Sequence, residues 1–330
     1  IYEREGIELS DALLENKSVT YLELETEDYT KKSAEAMAKY LRTSECLQRI
    51  SWHVIAYPRD ELLKQHEEMF CCFLPAFQES TSLRELDMEL PHRGGPSNLA
   101  FENMVTHTQT LRSLSISCPN GILEDWAVAA ALSGLKKNIN LLELTLEVSR
   151  GMTVSPILSS LRDHPVLRRL CLRGHGVDLT GLETLLQTDT SKITELEIHR
   201  RSYGGPAIIG LTPVLQALQR RPTLTKLRLR DSPLNRDAAR LLHVALCNMP
   251  SLQSLILAYN ALGSAELAEL APALYQNTSI KMLDISENHL NDTESAEILR
   301  DILRSNKTMT GNTFGYSTGA VDCFADGLGS

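Results

Sequence analysis

Residues 252–260 read Leu252-Gln-Ser-Leu255-Ile-Leu257-Ala-Tyr-Asn260, and residues 280–288 read Ile280-Lys-Met-Leu283-Asp-Ile285-Ser-Glu-Asn288, one LxxLxLxxN frame repeated after 28 residues. Its core, LxxLxL with Val, Ile, Met or Trp substituting, also starts at Val19, Leu47, Leu83, Leu111, Leu141, Leu167, Ile193 and Leu224. The ten starts are separated by 28, 36, 28, 30, 26, 26, 31, 28 and 28 residues, so the period belongs to the whole chain. In each unit the last two apolar positions lie two apart, which gives a short strand one buried face, while the second half carries apolar residues at helical spacing. In the ninth unit Leu262, Leu267, Leu270 and Leu274 form that stripe, and the helix gives way at Asn277-Thr-Ser. No single unit can bury both its strand and its helix. Stacked in register, the units make an α/β solenoid: a curved horseshoe with a parallel β-sheet on the concave face and helices on the convex face. Ten strands at ~4.8 Å give an inner face roughly 45 Å long, enough to hold a folded protein.

These ten LxxLxL cores resemble the leucine-rich repeat family, and the near-28-residue period with a helical second half resembles its ribonuclease-inhibitor-like subclass. The resemblance covers residues 1–310 as one repeat array. Residues 7–18, within a leading segment 1–18, read as the helix of a truncated repeat, and 311–330 read as a C-terminal tail or a cap fragment. The Asn that closes the strand turn stands only at Asn260 and Asn288, so the N-terminal units are degenerate. Irregular turns follow the strands at Val54–Asp60, Pro91–Ser97 and His199–Pro206, and are expected to line one rim of the arc.

Composition narrows the function classes. The chain has 330 residues, 42% of them apolar, with 33 basic and 42 acidic side chains and a net charge of −9, the wrong sign for binding a phosphate backbone or an anionic membrane surface. No run of ~18 apolar residues is present, so no membrane span is expected. Seven cysteines form an odd set without CxxC spacing, which points to neither a disulfide framework nor a zinc site and fits a reducing, cytoplasmic setting. Of four Asn-x-Ser/Thr triplets, at Asn16, Asn277, Asn291 and Asn306, three fall in the helix-to-strand turn, where Asn and Ser/Thr serve local hydrogen bonding. The sequence begins at Ile1 without a leader pattern, and the expectation is a chain trimmed from something longer.

The strand positions between the apolar ones project from the open face of the sheet. Units one to five place Glu23, Glu25, Arg49, His53, Glu85, Asp87, Glu89, Glu143 and Glu147 there, for a net −6; units six to ten place Arg169, Arg173, Glu195, Glu197, His199, Lys226, Arg228, Arg230 and Asp284, for +2. Two readings stand. A bipolar face would steer and orient a partner. Alternatively, rows such as Glu143, Arg169, Glu195 and Lys226 satisfy one another across strands. The acidic half has fewer internal partners, so a protein presenting a basic patch is the favoured ligand. At the rim, Tyr57, Arg93, Arg201 and Tyr203 combine residue types common in binding hot spots.

Tests for chemistry are negative. There is no HExxH, no GxSxG and no Gly-rich phosphate loop. Cys171, beside Arg169 and Arg173 with His199 one unit away, is the nearest approach to an activated nucleophile, set against the plainer reading of an exposed thiol. No catalytic residue, metal site or cofactor is expected, and Trp52, in the last apolar slot of its repeat, reads as core. The expectation is a non-enzymatic protein–protein interaction scaffold that binds through the charged concave face and the strand-end rim, acting as a monomer. What the resemblance implies is the intracellular use of such domains in inhibitors, immune-type sensors and ubiquitin-ligase adaptors. The alternative it implies is a GTPase-activating protein resembling the Ran-activating family, although 311–330 lacks that family's very acidic tail.

Overall fold

Every one of the ten sequence frames becomes a strand that begins two residues after the frame's first apolar residue. The computed structural model describes residues 3–25, 30–53, 60–90, 97–117, 125–148, 154–174, 179–200 and 210–313. Eleven helices and eleven strands alternate along these residues: α1 (Glu3–Glu15), β1 (Tyr21–Glu25), α2 (Lys31–Thr43), β2 (Arg49–His53), α3 (Asp60–Glu79), β3 (Glu85–Glu89), α4 (Ser97–His107), β4 (Ser113–Ser117), α5 (Asp125–Lys137), β5 (Glu143–Val148) and α6 (Ser155–Ser160). They continue as β6 (Arg169–Gly174), α7 (Leu182–Gln187), β7 (Glu195–Arg200), α8 (Leu211–Leu218), β8 (Lys226–Arg230), α9 (Arg236–Cys247), β9 (Ser254–Ile256), α10 (Ser264–Gln276), β10 (Met282–Asp284), α11 (Thr293–Ser305) and β11 (Gly311–Thr313).

The strands form one open parallel sheet in sequence order, β1 to β11. Each helix packs on the next helix and each strand on the next strand, the one-dimensional contact pattern of a solenoid. The sheet runs one strand beyond the ten frames, because β11 pairs with β10 through Met282–Gly311 to Asp284–Thr313. The core lies between sheet and helices, built from the repeating positions: Ile50 and Trp52, Leu86 and Met88, Leu114 and Ile116, Leu144 and Leu146, Leu170 and Leu172, Leu196 and Ile198, Leu227 and Leu229 are all essentially inaccessible.

Two hydrogen-bond ladders tie the units together. After the strands, the amide of Asn260 donates to Leu229 O at 2.7 Å and accepts from Ser232 N at 2.7 Å. Asn288 repeats this one unit on, donating to Leu257 O at 2.9 Å and accepting from Asn260 N at 2.9 Å and Leu262 N at 3.0 Å. The buried amides hold a tight turn whose preceding residue is left-handed, φ 53° at Asp231, 61° at Tyr259 and 56° at Glu287.

Before seven of the strands, a polar side chain three residues ahead of the frame caps the helix-to-strand turn, whereas before β9 that place is Met249, whose backbone O accepts from Leu252 N. Ser44 and Ser80 Oγ and Asn16, Asn138, Asn277 and Asn306 Oδ1 accept the frame's first backbone N–H. The expectation that the Asn-x-Ser/Thr triplets at 16, 277 and 306 serve local bonding is met, and Asn306 also gives its amide protons to Leu274 O and Asn277 O.

In the sixth unit the same position is His164. Its Nδ1 accepts from Leu167 N at 3.1 Å and its Nε2 donates to Asn138 O at 2.7 Å, so the ring must be neutral to serve both. Burial lowers its pKa, opposed by the bond to Asn138. The unfolded chain then binds the extra proton over the window below about 6.5, so this group's contribution to stability is full above that pH and falls as pH drops. The expected result for His164→Asn, which installs the side chain used at 138, 277 and 306, is retained stability at pH 7 and a flatter decline toward pH 5 in urea-unfolding midpoints. An unchanged pH slope would assign it to other groups.

Candidate functional site

The strand positions that alternate with the core leucines leave one face of the sheet uncovered, in three rows fixed by the register. One runs Tyr21, Arg49, Glu85, Ser113, Glu143, Arg169, Glu195, Lys226, Ser254, Met282. The middle row runs Glu23, Ser51, Asp87, Ser115, Thr145, Cys171, Glu197, Arg228, Ile256, Asp284. The third takes Glu25 with His53, Glu89 with Ser117, and Glu147 with Arg173, His199 and Arg230. Residues 23, 25, 85, 87, 89, 143, 147, 169, 173, 226, 228 and 230 thus share one surface. Tyr57, Arg93, Arg201 and Tyr203 lie outside the described residues, as does most of 311–330.

The two halves of this face differ in how their charges are used. In the second half Glu197 is only 4% exposed and is the hub of an arginine cluster. Its carboxylate lies 3.2 Å from Arg173, 3.3 Å from Arg228 and 3.9 Å from Arg169. Arg169 also reaches Glu195 at 3.7 Å and Glu143 at 3.9 Å. Burial alone would raise the Glu197 pKa, but Arg228, Arg173 and Arg169 outweigh it and hold the carboxyl below its ordinary value. Arg230 has Asp231 at 3.8 Å and stacks over Tyr259, its guanidinium carbon 4.6 Å from the ring centroid. His199 Nε2 lies 3.3 Å from the same Asp231 carboxylate. The self-pairing reading of the sequence therefore describes this half.

The acidic half is different. Arg49 lies 3.6 Å from Glu85 and stacks over Tyr21, and Tyr21 donates its hydroxyl to Glu23 at 3.1 Å. Glu25 and Asp87 have no hydrogen-bond or ion-pair partner among the described residues. His53 shares a hydrogen bond with Ser51 at 2.8 Å. The unspent charge of the face is accordingly negative and sits over β1–β3.

Cys171 is buried, 1% exposed, rather than an exposed thiol. Its sulfur accepts from Arg173 Nε at 3.1 Å, yet burial first, then the Glu197 charge, push its pKa up to about 12, overriding the nearby arginines. It is a proton-bearing packing residue at neutral pH rather than a nucleophile. Asp231 was not among the sequence-derived face positions, since it follows the strand and reaches the face only because its backbone turns left-handed.

No family model matches the chain. Over 141 residues it is 33% identical to the ribonuclease inhibitor of Sus scrofa, a match that covers 41% of this chain and 30% of that protein. The chain thus spans less than a third of the length of the curated relative it matches. Among solved structures, that of leiomodin-1 actin-binding site 2 covers 47% of this chain and 83% of its own, with 15% identity and a TM-score of 0.36. A Bacteroides fragilis protein covers 95% of this chain and 70% of its own, with 13% identity and a TM-score of 0.42.

Proposed function

We propose that this chain, a leucine-rich repeat solenoid of the ribonuclease-inhibitor-like kind, is a non-enzymatic scaffold that docks a partner protein on the first half of its open sheet face. The observation that carries this reading is the asymmetry of charge use. Glu25 and Asp87 stand without partners among the described residues, and Glu23 and Glu85 have only exposed neighbours, while Arg169, Arg173, Arg228 and Arg230 each lie within 4 Å of a carboxylate. Exposed carboxylates on a pre-formed sheet favour encounter with a basic surface, mostly through on-rate and specificity. Tyr21, 47% exposed at the end of the same face, adds an aromatic contact of the kind that anchors interfaces. Arg173, Lys226, Arg228 and Arg230 then fix the shape of the adjoining surface more than they attract. Tyr57, Arg93, Arg201 and Tyr203, outside the described residues, are proposed as further partner contacts on the strength of their residue types alone.

A cytoplasmic setting accords with Cys46, Cys71, Cys72, Cys171 and Cys247 all being free thiols. Among the described residues, no helix is long and apolar enough to cross a membrane.

The test is affinity capture from cell extract with the wild-type chain and with a Glu85→Lys, Asp87→Lys, Glu89→Lys variant, both shown to be folded by circular dichroism. A basic protein retained by the wild type and lost by the variant is the expected result. Equal retention would move the site off this face.

A further inference from the structure

A second charged surface runs along the strand-start rim, where each helix-to-strand turn enters the sheet. The residue after each frame's first apolar position gives its carbonyl to the next unit's amides, from Thr20 through Arg84, Arg112 and Arg168 to Lys281 and Thr310, so these positions form one continuous line. The two residues before each frame flank it. Counting the unit that opens at Met309, these three positions hold Lys17, Arg84, Arg112, Arg168, Lys192, Lys281 and Lys307 but a single acid, Glu45, in a chain of net charge −9. All seven cations are exposed, and among the described residues none has a carboxylate within 4 Å. Arg112 donates only to Asn140 O at 3.0 Å, and Arg84 to Leu83 O at 3.3 Å and Thr81 O at 3.4 Å. Arg168, Lys192, Lys281 and Lys307 have no partner among the described residues. Arg169, one residue past Arg168, meets three carboxylates on the open face, so the unspent positive charge is a property of the rim.

A favourable field at helix C-termini explains cations at these turns, but not the cleft that the same rim holds between β8 and β11. This cleft of ≈ 590 Å³ has Lys281 as its one charged lining residue. Ser251, Thr278 and Thr310 also line it, and their hydroxyls have no hydrogen-bond partner among the described residues. An ammonium beside unspent hydroxyl donors is the chemistry that seats a carboxylate. No aromatic residue stands at any of the rim positions to stack a base, and the acidic chain as a whole repels a phosphate backbone. We propose that the strand-start rim is a second docking surface, taking an acidic segment of a partner protein along Arg84, Arg112 and Arg168 with a carboxylate seated at Lys281. From β3 to β10 the line spans seven strand steps, ~34 Å.

The experiment uses a labelled 20-residue peptide of Glu alternating with Gly and Ser, its Gln counterpart, and a 20-nucleotide oligothymidine. Binding is read by fluorescence anisotropy against the full chain and two variants of equal net charge, both shown to be folded by circular dichroism. One carries Arg84→Gln, Arg112→Gln, Arg168→Gln and Lys281→Gln; the other carries Arg4→Gln, Arg236→Gln, Arg240→Gln and Arg300→Gln, all exposed on the helices. The acidic peptide is expected to bind about tenfold or more tighter than the Gln peptide and the oligothymidine, to weaken with salt, and to lose most of that margin in the rim variant alone. Equal loss in both variants would assign binding to net charge and overturn the rim site. Oligothymidine binding as tight as the peptide's would overturn the acidic-protein partner, and no peptide binding, or binding indifferent to the rim variant, would overturn the proposal outright.

Discussion

Trp52→Ala is expected to remove about 3–5 kcal/mol of stability and to unfold the N-terminal units ahead of the rest. Trp52 is wholly buried, in the last apolar slot of β2, with its ring centroid 4.5 Å from Phe70, 4.9 Å from Phe73 and 6.1 Å from Phe77. Those three phenylalanines line one side of α3, the longest helix, so the indole occupies the space that joins the widest repeat to the sheet. Truncation leaves a cavity that α3 cannot close, since Met69 and Leu74 are already fully packed. Solenoid stability is a sum of units and nearest-neighbour interfaces, so the damage should stay local and take the acidic half of the open face with it. Urea unfolding followed by circular dichroism should resolve an early transition absent from the wild type. Trp52→Phe should restore most of the loss, and a single unshifted transition for Trp52→Ala would contradict this account of the core.

Glu197→Gln is the second large effect, expected to cost about 3 kcal/mol at pH 7. Removing one partner of a buried ionic cluster typically costs 3–5 kcal/mol, and the lower end applies because the side chains of Arg169, Arg173 and Arg228 remain between a fifth and a third exposed. The sign with pH follows from the direction of the shift. A carboxyl held below its ordinary value near 4.3 contributes stability that is full above that value and is lost as pH falls through the folded pKa. The variant should therefore be destabilised at neutral pH and lose part of the wild type's acid-unfolding slope, both readable from denaturant midpoints at about pH 7 and 3.

The repeat frame carried nearly all of the fold, because two-residue alternation and helical spacing survive even where the closing Asn does not. β11 escaped that reading for a physical reason: Met309 takes the first apolar slot, but the second is Asn312, so the alternation that marks a strand is broken while the pairing with β10 persists. The membership of the open face was equally legible from period-two alternation. What the sequence did not show is how deeply the middle row sinks. Cys171 and Glu197 are covered because the long side chains of the outer rows, Arg169 and Arg173 above all, fold across them. Asp231 escaped because its place on the face depends on a left-handed backbone, which local sequence does not advertise at a non-glycine residue. These two facts turn a face that reads as bipolar into one whose basic half is internally paired.

Recognition through the acidic half of the face is tested most directly by calorimetric titration of a captured partner into the wild type, the Glu85→Lys, Asp87→Lys, Glu89→Lys variant, and a Lys226→Gln, Arg230→Gln variant of the other half. A loss of about 100-fold or more is expected for the acidic-half variant, with weaker wild-type binding at higher salt and affinity near wild type for the other. Wild-type affinity in the acidic-half variant, or a loss confined to the Lys226 and Arg230 substitutions, would contradict it.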